Sequence, residues 1–167
     1  AGNALIEWKD EDYETFRAAL GHVCRYLARS IAADGEGCTK LITCLMSGAR
    51  SEESAERLAK SVVGSSLVKA AMFGADANWG RVLCAIGYSG APVDVSRIDV
   101  QFASKAGTIL VCKDGAGVDF SEEEAKKILL ESEIEILIDL HSGSAVSTAW
   151  GCDLTYDYVK INGDYRT

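Results

Sequence analysis

Proline, histidine and positive charge are scarce in this 167-residue sequence, which has one proline, two histidines, and 17 Lys and Arg against 25 Asp and Glu. The net charge of -8 and the lack of any basic run disfavour nucleic acid or an anionic membrane as a partner. No window is apolar for long enough to span a bilayer, and no secretory signal opens the chain. His22 and His141 lack partners at metal-ligand spacing, so we expect no metal site.

Common catalytic and nucleotide-binding motifs are also missing. The sequence contains no G-x-S-x-G elbow, no Walker loop, no G-x-G-x-x-G and no C-x-x-C pair. Its six cysteines each lie among apolar residues, which favours reduced thiols and a cytoplasmic location over a disulfide framework. The residues alone therefore offer no obvious nucleophile.

What the chain does have is the composition of a globular domain, 48% hydrophobic, and we expect one domain over residues 1–167. Periodicity and capping residues predict helices at 11–32, 51–63, 78–86 and 121–131. Alternation and apolar runs predict strands at 39–46, 98–102, 108–112, 134–140 and 156–161. The segment 65–73 is ambiguous. Hairpin strands mixed with crossover helices indicate an α+β fold, a mixed sheet with packed helices.

Three glycine-containing segments interrupt these elements. Glu36 lies between two glycines just before a buried strand, where a carboxylate can hold an ammonium group or move a proton, although an exposed turn glutamate is the commoner case. In the segment 73–81 we expect Asp76 or Asn78 to cap a helix, with Arg81 pairing to Asp76. The segment 113–117 is interpreted as a surface turn.

The C-terminal stretch 150–167 is rich in large apolar side chains. Such a terminus predicts docking against the body of the protein, because a loose end would expose these groups. They are Tyr156, Tyr158, Val159, Ile161 and Tyr165.

Taken together, the segments 34–40 (Asp-Gly-Glu-Gly-Cys-Thr-Lys), 67–81 and 150–167 resemble the ornithine acetyltransferase family, also called glutamate N-acetyltransferases. Many of its members are bifunctional with N-acetylglutamate synthase. The resemblance covers essentially the whole chain. It implies a layered α/β sandwich of the DmpA/ornithine-acetyltransferase type, of which residues 1–167 would be the C-terminal portion: the β chain of a self-processing acetyltransferase, lacking its N-terminal segment.

The resemblance also implies an activity. The acetyl group of N-acetylornithine would pass to a threonine exposed by autocatalytic cleavage and then to glutamate, in arginine biosynthesis, with acetyl-CoA as a possible second donor and no cofactor. That threonine is expected upstream of Ala1, so this chain would contain no catalytic residue and would be inactive alone. The expected partners are the upstream α chain and the missing part of the β chain, within an oligomer.

Three residues match the family's substrate-binding positions: Glu36 in Asp-Gly-Glu-Gly, and Asn162 and Thr167 in the C-terminal motif. The resemblance implies that they share one cleft. Cys38 and Gly163 depart from the family pattern, where alanine is commoner, without removing a functional group.

Two alternatives stay open. An aminopeptidase-type hydrolase is possible, because the same fold type hosts self-processing aminopeptidases and fold does not fix function. The chain could also be a non-catalytic amino-acid-binding or subunit-interaction domain.

Overall fold

The structure, a computed structural model, describes residues 9–164. Its helices are α1 Glu11–Ala33, α2 Glu52–Gly64, α3 Ser66–Phe73, α4 Trp79–Gly87, α5 Glu122–Leu129 and α6 Tyr156–Asp164. Its strands are β1 Leu41–Ala49, β2 Asp99–Ser104, β3 Gly107–Lys113, β4 Ala116–Gly117, β5 Glu133–Asp139 and β6 Ala145–Cys152. Within residues 9–164, none of the helices combines the length and the apolar character that crossing a bilayer requires.

The six strands form one sheet in the order β4-β3-β2-β5-β1-β6. The pair β1 and β5 is parallel, and every other neighbouring pair is antiparallel. Parallel pairing requires a long crossover, which helices α2 to α5 and the β2–β3 hairpin supply between β1 and β5. The predicted α+β class with a mixed sheet is therefore confirmed.

One face of the sheet is the hydrophobic core. In β5, Ile134, Ile136 and Ile138 are buried. Glu133 and Glu135, which point to the opposite face, are exposed, as the two-residue period of a strand requires. Helix α2 packs on β1 and β6, and α5 packs on β2 and β3. The helices thus cover the isoleucine face from both ends.

Helix α1 lies on the other side of the sheet, against β1 and β6. The guanidinium of Arg29 contacts the Glu133 carboxylate at 2.8 Å on this side. The predicted helix is confirmed, including Asp10 as its N-cap. Its apolar stripe, however, is at least half exposed in this chain at Phe16, Leu20, Val23, Leu27 and Ile31.

Near the C-terminus, one prediction is wrong and one strand was not predicted. Residues 156–161, predicted as a strand, form helix α6, because the Thr155 hydroxyl accepts the Tyr158 amide at 3.1 Å as an N-cap does. The last strand lies earlier, at Ala145–Cys152, where Val146, Thr148 and Trp150 alternate with small residues and antiparallel pairing with β1 holds the segment. The ambiguous segment 65–73 is helix α3, capped by Ser65.

The predicted apolar docking of the C-terminal stretch is also not what residues 156–164 show. No residue of α6 is buried, and Tyr156 is 82% exposed. The ring of Tyr156 meets Phe73 edge-on at 5.5 Å. Tyr165 lies outside the described residues. This helix is held mainly by polar contacts.

Candidate functional site

The turn at residues 34–40, which joins α1 to β1, is the core of the candidate site. Helix α1 ends as the Asp34 amide bonds to the Ser30 carbonyl, and the Cys38 amide closes the turn on the Gly35 carbonyl at 3.0 Å. Gly37 has φ +66, a conformation that favours glycine. A Cβ at this position would lie 2.8 Å from the Tyr158 nitrogen, so glycine also allows α6 to approach the turn closely.

A buried carboxylate fixes the second half of this turn. Asp153, 3% exposed at the end of β6, accepts the amides of Thr39 at 2.8 Å and Lys40 at 3.0 Å. Its other oxygen accepts the Thr39 hydroxyl at 2.5 Å. Burying a carboxylate lowers the stability of a protein unless its oxygens accept hydrogen bonds, and here both oxygens of Asp153 do. The sequence reasoning missed Asp153, since its three donors are 113 and 114 residues away along the chain.

Lys40 ties the turn to the helical layer. Its ammonium is buried and donates to the carbonyls of Met72 at 2.6 Å and Leu129 at 2.7 Å, at the C-terminal ends of α3 and α5. These ends carry the negative pole of each helix, which stabilises a cation. Burial lowers the pKa of Lys40, and the charge of Asp153 opposes that shift. Lys40 lies in the 34–40 motif, but no role was predicted for it from the sequence.

Helix α6 brings Asn162 onto Glu36. The Asn162 side-chain nitrogen donates to one Glu36 oxygen at 2.7 Å and to the Tyr158 carbonyl at 2.9 Å. This leaves, among residues 9–164, the other Glu36 oxygen and the Asn162 amide oxygen as open acceptors. Both side chains are exposed. The pair can therefore receive the N–H groups of a cationic ligand.

The predicted site residues have different outcomes. Glu36 and Asn162, 126 residues apart, lie in direct contact. Thr167 lies outside the described residues, so its place in the site stays a prediction. No catalytic residue was expected in this chain.

The loop at 73–81 has the structural role that the sequence predicted. Asn78 caps α4 by accepting the Arg81 amide at 3.1 Å, and its nitrogen donates to Asp76 at 3.0 Å. The expected Asp76–Arg81 pairing is wrong, because the Arg81 guanidinium donates instead to the Leu67 carbonyl at 3.0 Å.

A second cluster of titratable groups surrounds His141, after β5. Its Nε2 lies 3.0 Å from Asp99, and this hydrogen bond raises the pKa of His141. Burial alone would raise the pKa of Asp99, but the hydrogen bonds from the Asp114 amide and the His141 ring outweigh it and lower the pKa. These contacts link β2 to the end of β5. Among residues 9–164, no group of three His, Cys, Asp or Glu side chains is arranged to hold a metal ion.

Comparison with known proteins supports the motif-based resemblance over the full sequence. The model of the ArgJ family matches residues 1–167. The chain belongs to the ArgJ family. The predicted relation to the ornithine acetyltransferases is thereby confirmed.

Individual ArgJ proteins are closely similar. The chain is 51% identical over its whole length to "Arginine biosynthesis bifunctional protein ArgJ 1" of Clostridium acetobutylicum, and 50% identical to the ArgJ of Geobacillus stearothermophilus. It spans 41% and 40% of those two proteins, well under half of their length. The crystal structure of ArgJ from Bacillus halodurans superposes with a TM-score of 0.89 at 46% identity, over 98% of this chain and 75% of that one. The predicted family fold is therefore confirmed.

Proposed function

We propose that this chain is part of an acyltransferase that transfers the acetyl group of N-acetylornithine to glutamate in arginine biosynthesis. The observation that supports the proposal is the contact between Glu36 and Asn162, which joins two distant family motifs into one polar group. We further propose that acetyl-CoA serves as a second acetyl donor, in keeping with the word bifunctional in the relatives' names.

The open acceptors suit the substrates. Glutamate and N-acetylornithine each carry an ammonium group, and a carboxylate paired with an amide oxygen accepts its hydrogens through charge-assisted bonds. Glu36 would supply the charge and Asn162 would orient it through their 2.7 Å hydrogen bond. Thr167 would contribute its hydroxyl to the same cleft. The role of this chain is thus to hold the free amino group of each substrate, which is the δ-ammonium of N-acetylornithine, whose α-nitrogen is acetylated, and the α-amino group of glutamate.

The reacting centre would come from the rest of the protein. In the proposed reaction, a threonine hydroxyl exposed by autocatalytic cleavage attacks the acetyl carbonyl and forms an ester. The amide C–N bond breaks, the hydroxyl proton passes to the nitrogen, and ornithine leaves as the free amine. The glutamate amine then attacks the acetyl ester, which forms N-acetylglutamate and restores the hydroxyl. No cofactor is needed. The proposed partners are the α chain and the rest of the β chain, in an oligomer in the cytoplasm.

The test uses the complete protein, meaning this chain together with the remaining sequence that the length of its relatives implies. It is incubated with N-acetylornithine carrying a labelled acetyl group and with glutamate, and labelled N-acetylglutamate is measured. Glu36→Gln removes the charge but keeps the shape, and we expect kcat/KM to fall by about 10- to 100-fold, the loss of a charge-assisted hydrogen bond. Glu122→Gln, at an exposed glutamate in the first turn of α5, is the matched control and should stay within about twofold.

Two outcomes would contradict the proposal. Labelled acetate in place of N-acetylglutamate would identify a hydrolase. Equal activity of Glu36→Gln and the unmodified protein would remove Glu36 from the site. We expect the chain by itself to transfer no acetyl group, because the proposed nucleophile is not in it.

A further inference from the structure

Thr155 joins the two halves of the candidate site through one hydroxyl group. It is 4% exposed and lies between β6 and α6. Its hydroxyl donates to the Gly37 carbonyl at 2.6 Å and accepts the Tyr158 amide at 3.1 Å. The first bond holds the 34–40 turn, and the second caps α6. A single side chain thus connects the element that carries Glu36 to the element that carries Asn162.

The position of α6 depends on few contacts, so this connection matters. None of the α6 side chains is buried, and the apolar contact of Tyr156 with Phe73 is at the helix start. Asn162 is seven residues beyond Thr155, about 10 Å along the helix axis. A small tilt of α6 at its cap therefore moves Asn162 by a larger distance. Glu36 moves less, because it is adjacent to Gly37, whose carbonyl accepts the Thr155 hydroxyl.

We propose that Thr155 is a positioning residue for the substrate site: its hydroxyl sets the orientation of α6 against the 34–40 turn, and so the spacing between the Glu36 carboxylate and the Asn162 amide. The inference rests on the proposed function, since that spacing matters only if the pair holds the substrate. Thr155 acts through these two side chains and has no contact with the reacting atoms.

Three substitutions in the complete protein separate the two hydrogen bonds. Thr155→Val keeps the shape and removes both bonds. Thr155→Asp keeps a good helix cap but has no proton to donate to the Gly37 carbonyl. Thr155→Ser keeps both bonds. We expect Val and Asp to raise the KM for glutamate and for N-acetylornithine about five- to tenfold, with kcat within about twofold, and Ser to stay near the unmodified protein.

The control is Ser121→Ala, which removes the N-cap of α5 at an exposed site. It should leave both KM values within about twofold although it lowers stability by a similar mechanism. A double-mutant cycle adds Asn162→Ala to Thr155→Asp. Because Thr155 acts through Asn162, the combined rise in KM should be at most about twofold larger than that of Asn162→Ala alone.

The inference is overturned by an unchanged KM in Thr155→Asp, by a KM change of equal size in Ser121→Ala, or by multiplicative effects in the cycle. Should Thr155→Val fail to fold, Thr155→Asp with its retained cap carries the test. If the unmodified complete protein transfers no acetyl group, the proposed function fails, and the inference is then judged by calorimetry with glutamate. A Kd about five- to tenfold weaker in Thr155→Asp supports it, and an unchanged Kd or no binding overturns it.

Discussion

The turn at residues 34–40 and residues 74–81 of the 73–81 loop both contain glycines, yet their hydrogen bonds differ in reach. In the 74–81 loop, the side chains of Asp76, Asn78 and Arg81 bond to partners 2 to 14 residues away. In the 34–40 turn, contacts come from Asp153, Thr155 and Asn162, 113 to 126 residues away. The first loop uses its polar groups to build a local helix start. The 34–40 turn is held by residues 153–162, and within residues 9–164 one Glu36 oxygen remains free to accept a hydrogen bond.

Loss of a long-range contact of the 34–40 turn should reduce the free energy of unfolding more than loss of a local contact of the 74–81 segment. Asp153→Ala in the complete protein should have the largest effect, because it leaves two backbone amides and the Thr39 hydroxyl without their acceptor. We expect a loss of about 3 kcal/mol in the free energy of unfolding, measured by urea denaturation. Glu36→Ala, at an exposed carboxylate of the same turn, should change it by less than about 0.5 kcal/mol. Similar losses in both variants would show that Asp153 does not anchor the turn.

An intermediate effect is expected from Gly37→Ala. The added Cβ must tolerate the positive φ and would lie 2.8 Å from the Tyr158 nitrogen, so the turn and α6 must separate. We predict a loss of about 2 kcal/mol in the free energy of unfolding. Relative to the unmodified protein, amide exchange should accelerate more in α6 than in β1. Gly64→Ala, at the end of α2 with nothing within 4 Å of the new Cβ, is the control and should not destabilise the protein. A stable Gly37→Ala variant with an unchanged α6 would contradict the close approach.

The smallest effect is expected in the local loop. Asn78→Ala removes the cap of α4 and should lower the free energy of unfolding by about 1 kcal/mol, measured by urea denaturation. Because none of the loop's side-chain hydrogen bonds within residues 9–164 reaches Glu36 or Asn162, the KM for glutamate should stay unchanged. A marked rise in KM would mean that the 74–81 loop belongs to the substrate site, and the contrast between the two segments would be lost.

The local features of the fold could be predicted well. Asp10 caps α1 as predicted, and Ser51 and Ser121 cap α2 and α5. The alternation at residues 98–102 correctly predicted strand β2, in which Val100 and Phe102 are buried. The helix at Tyr156–Asp164 could not be predicted, because its aromatic and β-branched residues favour a strand. The helix forms because Thr155 caps it, and the same Thr155 hydroxyl bonds to the distant Gly37 carbonyl.

The sequence by itself determined the starts of α1, α2, α4 and α5, the strand periodicity and the family, because capping and alternation act over a few residues and the three motifs are contiguous. It also identified Glu36 and Asn162 as candidate residues. Only the tertiary structure decided that these two touch, that Asp153 and Thr155 bond to the 34–40 turn, and that the stripe of α1 is exposed in this chain. The physical reason is that a bond between residues more than a hundred positions apart depends on how the sheet pairs β6 with β1, which no local pattern specifies.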